Sequence, residues 1–322
     1  MRDNLFYSKI MRSPERWRGA QELHPIKYQK GVASVAFSGF DLLPIDQIPT
    51  AVNMTFYPSF VATNVALAGT DLSVNEAEGN GSLQTLRLMD VTMTSRAQDA
   101  ADDIGNFLQG TGTGFGGKAP AGLGNIVDDG TNAATYGGLA RATYSGLKAA
   151  VTAVAGGNLT LLAIRQNNNT ISDGPVAPDM LVTDYNTWAL FELLMTPFQR
   201  NNYSSYQDMK AGAGYQAQYW GGMEIFRDKK ITSGYFYQLN REFIKFHSLK
   251  WWKGTSLSTA GKEIVGNVYG DNKYNIPSGF TWTGIIQAYN MGAINGFVIW
   301  GGQVICTAPF RNGLLTGIVN AA

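Results

Sequence analysis

The run GTGTGFGGKA at 110–119 is where nucleotide chemistry would have to reside. Its Gly112–Lys118 stretch matches GxxxxGK, in which glycine N–H groups cradle phosphates and the lysine reaches the terminal ones. Ala119 stands where Ser or Thr should hold Mg²⁺, and Pro120 follows. A phosphate loop joins a strand to a helix, whereas this tract comes after a helical pattern. A turning connector is the expected role. His24 and His247 are the two histidines, each in a strand-like stretch without a nucleophile or orienting acid in a motif beside it. Cys306 is the single cysteine, so no disulfide closes within the chain and no cysteine-based metal site forms. No HExxH, CxxC or histidine-rich cluster suggests zinc. Asp99 and Asp102–Asp103 read as a solvated helix face. Asp128–Asp129 lie in VDDGTN, which is turn chemistry. Trp251–Trp252, followed by Lys253, could stack on a sugar or base, but a core or subunit contact is the expected use. These residues assign no catalytic group, metal or cofactor, and no enzymatic activity is expected.

The elements around them are more informative. From Leu83 to Leu108, apolar residues recur at Leu83, Leu86, Met89, Met93, Ala97, Ala100, Ile104 and Phe107, the three-four spacing of one helical stripe. Ser82 is the expected N-cap and Gly110 the expected stop. At 1.5 Å per residue this helix is roughly 40 Å long, suited to a structural spine. Before it, residues 22–30, 50–60 and 61–67 read as strands; Val52, Met54 and Phe56 alternate with Asn53, Thr55 and Tyr57. Between the first two lies an excursion carrying Phe37, Phe40, Leu42 and Leu43. An isolated ribbon is marginal in water, so this one must lie on its own domain or on a partner.

Beyond the glycine tract, Thr143–Ala155 has helical character, Thr160–Arg165 fits helix or strand, and Met180–Thr183 reads as a strand. Asp184–Leu194 reads as a helix ended by Pro197. Residues 215–250 read as a meander, and Phe280–Tyr289, Asn295–Trp300 and Gln303–Ala308 as strands. Segregated strands and helices argue for an α+β fold.

Composition narrows the function. The 322 residues carry 25 basic and 24 acidic side chains, a balance unlike that of a dedicated nucleic-acid binder. Only 15% are charged, below the usual quarter, which points to surface buried against other chains. The first 19 residues contain no apolar run of signal-peptide length, and no segment offers 18 uninterrupted apolar residues for a membrane span. A reduced, intracellular folding environment and no membrane partner are expected.

In order and spacing, YQKGVASVAFSGFDLL (28–43), the long helix with its glycine loop, GLGNIVDDGTNAATYGGLARATY (122–144), WALFELLMTPFQRNNY (188–203) and PFRNGLLTGI (309–318) resemble the major capsid proteins of tailed bacteriophages, of the Hong Kong ninety-seven shell type. The resemblance implies an N-terminal arm at 1–20, an extended β-hairpin loop at 21–72, a peripheral domain at 73–135 with its spine helix at 83–108, an axial domain at 136–289 and closing strands at 290–322 that complete the peripheral domain. It implies self-association into pentamers and hexamers of an icosahedral virion shell, assembled in the host cytoplasm. Scaffold, portal and decoration proteins would be partners, with only non-specific contact to packaged double-stranded DNA. A nanocompartment shell of encapsulin type is the alternative use of this fold, and a nucleotide-dependent enzyme using Gly112–Lys118 a remote one. The chain has no long charged helical extension before the arm, which implies a separate scaffold or a trimmed precursor. Trp17, Phe37, Phe40, Leu42 and Leu43 are the expected inter-subunit contacts, and Lys27 and Lys30 the only lysines placed for a covalent cross-link. Burying each apolar loop side chain across an interface would contribute roughly 1.5–3 kcal/mol before ordering costs.

Overall fold

A computed structural model describes residues 5–10, 14–31, 34–43, 48–71, 81–199, 218–249, 280–283, 286–287 and 292–321. Trp251–Trp252 lie outside them. Besides one-turn helices at Gly114–Gly117 and Leu123–Ile126, the described helices include α1 (Leu5–Ile10), α2 (Gly81–Phe107), α3 (Leu161–Ile171) and α4 (Tyr185–Gln199). The N-terminal strands are β1 (Glu15–Arg16), β2 (Glu22–Lys27), β3 (Ala51–Phe56) and β4 (Ser59–Ala68). The middle adds β5 (Thr135–Tyr136), β6 (Leu139–Ala140), β7 (Ala150–Ala153), β8 (Asn158–Leu159), β9 (Met180–Thr183), β10 (Gln218–Trp220), β11 (Met223–Arg227) and β12 (Phe236–Leu239). The chain closes with β13 (Ile244–Ser248), β14 (Phe280–Trp282), β15 (Ile286–Gln287), β16 (Ala293–Cys306), β17 (Gly313–Thr316) and β18 (Asn320–Ala321). The fold is α+β, as expected.

Two compact units share the chain. The first gathers residues 1–18, 58–122 and 245–304. Its centre is β16, which pairs antiparallel with β4 from Ala293↔Ala68 to Gly302↔Ser59. The residues read as two strands at 295–300 and 303–308 thus form one, running through Gly301 and Gly302. Gly302 has φ +150, and a Cβ there would sit 2.6 Å from the Phe246 ring, so the strand passes only because the side chain is absent. Helix α2 packs on β4. Met93, Ala97, Ala100 and Ile104 are buried, while Arg96, Gln98, Asp99, Asp102 and Asp103 are exposed, as the apolar stripe requires. Ser82 lies one residue inside the helix rather than capping it.

The second unit comprises residues 19–57, 123–244 and 305–322. Its sheet runs β10-β11-β9-β12-β17-β7. The expected meander is not formed. Instead β11 pairs parallel with β9, β12 lies antiparallel between β9 and β17, and β17 pairs parallel with β7. Leu181, Ile225, Phe236 and Leu315 join Ile164, Trp188 and Phe191 from α3 and α4 in one buried cluster. Thr160 caps α3, its Oγ1 accepting from the Ala163 N–H at 3.0 Å. Helix α4 runs through Pro197 to Gln199 rather than stopping before it. Thr143–Ala155 is not helical: after the turn Ser145–Leu147, Val151 and Thr152 enter β7, where β-branched residues fit a pleated surface.

The closing strand Gly313–Thr316 completes the second unit's sheet, between β12 and β7. Residues 245–249, 280–283 and 286–287 lie with β16 in the first unit.

Candidate assembly surface

The ribbon is built from the six facing pairs of β2 and β3, from Glu22↔Phe56 to Lys27↔Ala51. Alternation puts Ile26, Met54 and Phe56 on the face that is buried. That face lies on the ribbon's own unit. Thr55 N–H donates to the Gly137 carbonyl at 2.8 Å, and the Phe56 ring meets Tyr136 edge-on at 5.3 Å. Gly137 has φ +56, and a Cβ there would stand 2.7 Å from the Met54 Cβ. Farther out, Tyr28 N–H donates to the Thr50 carbonyl at 3.0 Å and the Gln29 Nε2 to the Pro49 carbonyl at 2.6 Å. Tyr28 rests edge-on against Tyr144 at 5.0 Å.

Past this neck, residues 34–43 are exposed throughout. Asp41 N–H donates to the Ser38 carbonyl at 3.2 Å, and the Asp41 carboxylate accepts from the Ser38 N–H at 2.9 Å. Gly39 supplies φ +57 at the first central position, as a tight reverse turn of primed type needs. The turn presents Phe40 at 105% exposure; Leu42 stands at 96%, Phe37 at 62% and Leu43 at 54%. Val35 and Ile48, which sequence reasoning passed over, are exposed as well. Lys27 and Lys30 are exposed near the neck, away from the tip.

Trp17 does otherwise. Its side chain is 3% exposed, edge-on to His247 at 6.4 Å, and its N–H donates to the Ser248 carbonyl at 2.9 Å. The anchor expected to reach a neighbour is a plug in its own unit. It is seated there by the short parallel pairing of β1 with β13 and by the Glu15–Lys245 ion pair at 2.5 Å.

The remaining chemical candidates resolve into structure. The tract at 110–122 is a closed loop: Gly122 N–H donates to the Gly110 carbonyl at 3.1 Å. Helix α2 precedes it, Phe115 (φ +52) and Gly116 (φ +67) make its left-handed turn, and Lys118 is exposed. This is not a strand–loop–helix phosphate cradle. His24 packs on Phe56 at 5.9 Å. The Asp128 carboxylate accepts from the N–H groups of Gly130 at 2.9 Å and Ala133 at 2.9 Å, which fixes the turn read from VDDGTN. Burial pushes the Cys306 thiol up to about 12. Among the described residues no helix is long and apolar enough to cross a membrane.

No family model matches the chain, and no curated protein matches it. Solved structures do. The cyanophage A-1(L) capsid asymmetric unit superposes with a TM-score of 0.74 at 14% identity, covering 98% of this chain and 93% of that one. The capsid of a native GTA particle gives 0.56 at 10% identity, covering 100% and 92%. The holo-SrpI encapsulin complex of Synechococcus elongatus gives 0.54 at 10%, covering 95% and 84%. The chain has the Hong Kong ninety-seven shell fold.

Proposed function

We propose that this chain is the major capsid protein of a tailed bacteriophage, closing with copies of itself as pentamers and hexamers into an icosahedral shell around double-stranded DNA. The observation carrying this reading is the end-to-end likeness to a phage capsid subunit, 98% of this chain against 93% of that one. The ribbon loop adds physical support. Four large apolar side chains held clear of their own unit need a partner, and a repeating shell supplies one at every position. On this reading scaffold and portal proteins assist assembly, decoration proteins bind the finished shell, and the subunit performs no catalysis. DNA is held by enclosure: a chain with net charge +1 lacks the cationic excess for tight phosphate binding. Locking is non-covalent, because Lys27 and Lys30 stand at the neck and not at the tip.

Expression of the chain with its natural assembly helpers, followed by negative-stain microscopy, tests the proposal. Closed shells that protect double-stranded DNA from nuclease are expected. A lone compact particle under those conditions would sink the reading. Shells filled with a protein cargo instead would favour the nanocompartment use, which the encapsulin likeness at TM-score 0.54 keeps in view.

A further inference from the structure

The six-stranded sheet of the second unit ends on β7, which has a strand partner on one side only. Its parallel pairing with β17 uses alternate residues. The Ala150 N–H donates to the Asn312 carbonyl at 3.2 Å and the Val154 N–H to the Thr316 carbonyl at 2.9 Å. In an extended strand the backbone groups of the intervening residues point the other way. Ala149, just before the strand, has its outward N–H taken by the Asp128 carbonyl at 2.9 Å. Beyond it that support stops. Val151 and Ala153 each turn an N–H and a carbonyl outward, and no described residue bonds them. The backbone is extended at both ends of the strand, at Lys148 (ψ +126) and Val154 (ψ +121), and Thr152 and Ala153 are exposed.

Other free edges carry guards. Strand β1 consists of Glu15 and Arg16, and β2 holds Glu22, Pro25 and Lys27. Such charges and prolines oppose the addition of a further strand. Residues 149–157, AAVTAVAGG, contain neither. The complement of an unguarded edge is extended polypeptide, which returns a donor for every outward carbonyl and an acceptor for every outward N–H. A nucleic-acid backbone offers phosphate acceptors only, and Lys148 is the one cation between residues 142 and 164. We propose that β7 is a docking edge, at which an extended segment of a second copy of the chain joins the second unit's sheet through main-chain hydrogen bonds. A second copy is the occupant because every subunit presents the same unguarded edge and a shell surrounds each subunit with copies. The inference rests on the reading of the chain as a shell subunit.

The test uses the full chain assembled with its natural helpers. Val151→Pro and Ala153→Pro each delete an outward N–H and spare the inward bonds to β17, the placement at which an edge strand accepts proline. Each should lower particle yield by about tenfold, measured by sedimentation, because a backbone bond is lost at every copy. Thr152→Pro removes an inward donor instead and should lower the melting temperature of the unassembled subunit more than either. Benzoylphenylalanine in place of Ala153 identifies the occupant by photo-cross-linking, and decides the matter if a proline variant fails to fold. Irradiated particles should yield a covalent dimer of the chain, and irradiated unassembled subunits should not. Normal particles that give adducts only to a helper or decoration protein, or no adduct, would overturn the contact and leave the shell reading standing. So would folded proline variants that assemble like wild type. A wild-type chain that makes no particles at all would remove both.

Discussion

At the scale of single residues, the chain spends its buried charge on shape. Arg141 is fully buried in the second unit. Its guanidinium donates to the carbonyls of Asp128, Leu147 and Asn125 and lies 5.1 Å from the centre of the Tyr136 ring. Burial lowers its proton affinity, with the nearby Asp128 opposing that effect. Replacing it by Met strands three carbonyls at once, so Arg141→Met is expected to cost on the order of 3 kcal/mol of stability in a urea titration of the unassembled subunit. Nearby, Tyr136 Oη bonds the backbone of Cys306 in both directions, accepting from its N–H at 2.8 Å and donating to its carbonyl at 3.1 Å. Burial is the main reason that both Tyr136 and the Cys306 thiol hold their protons more tightly than usual, the thiol to about 12. The unfolded chain releases these protons first. The stability from the neutral thiol is therefore complete below about pH 9 and is lost as pH rises towards about 12. The urea midpoint should fall over that window, and Cys306→Ala should flatten the fall. Iodoacetamide at pH 8 should leave the folded thiol untouched and label it on unfolding.

Among elements, the ribbon separates folding from assembly. Its base is held by Ile26, Met54 and Phe56 on the second unit, while its distal loop touches little of its own chain. Phe40→Asp changes a side chain at 105% exposure, so the subunit's melting temperature should not move. Particle yield should collapse, because a charge would have to be desolvated in an apolar contact. Gly137→Ala tests the base. The new methyl would meet Met54 in a left-handed backbone, so the subunit itself should lose about 1–3 kcal/mol in a thermal melt. If both variants impaired only folding, or only assembly, the division of labour would be wrong.

For the whole molecule, the expectation is order gained by company. The free subunit exposes a loop of Phe, Leu and Val with few bonds to its own body, which a protease can enter. Chymotrypsin should cut between residues 35 and 43 in the unassembled chain, and the same bonds should resist once shells have formed. Equal cleavage in both states would mean the loop faces solvent in the particle and serves something other than assembly.

How much of this was legible in the chain depends on how local the governing physics is. Helix α2 was readable to within two residues because its apolar stripe repeats at the helical period, and β3 because Val52, Met54 and Phe56 alternate. The failure of the glycine tract as a phosphate loop was also readable, from its neighbours alone. So was the apolar loop tip, because no local pattern could bury Phe37, Phe40, Leu42 and Leu43 together. The direction Trp17 takes was not, because it follows from pairing with β13 some 230 residues away. Nor could the chain order reveal that Gly313–Thr316 closes the second sheet, that β11 runs parallel to β9, or that Arg141 gathers three carbonyls from separate loops. Period and polarity act over a few neighbouring residues and are written in order along the chain. Strand partners and buried charge are chosen by contacts between distant segments, and those exist only once the chain has closed on itself.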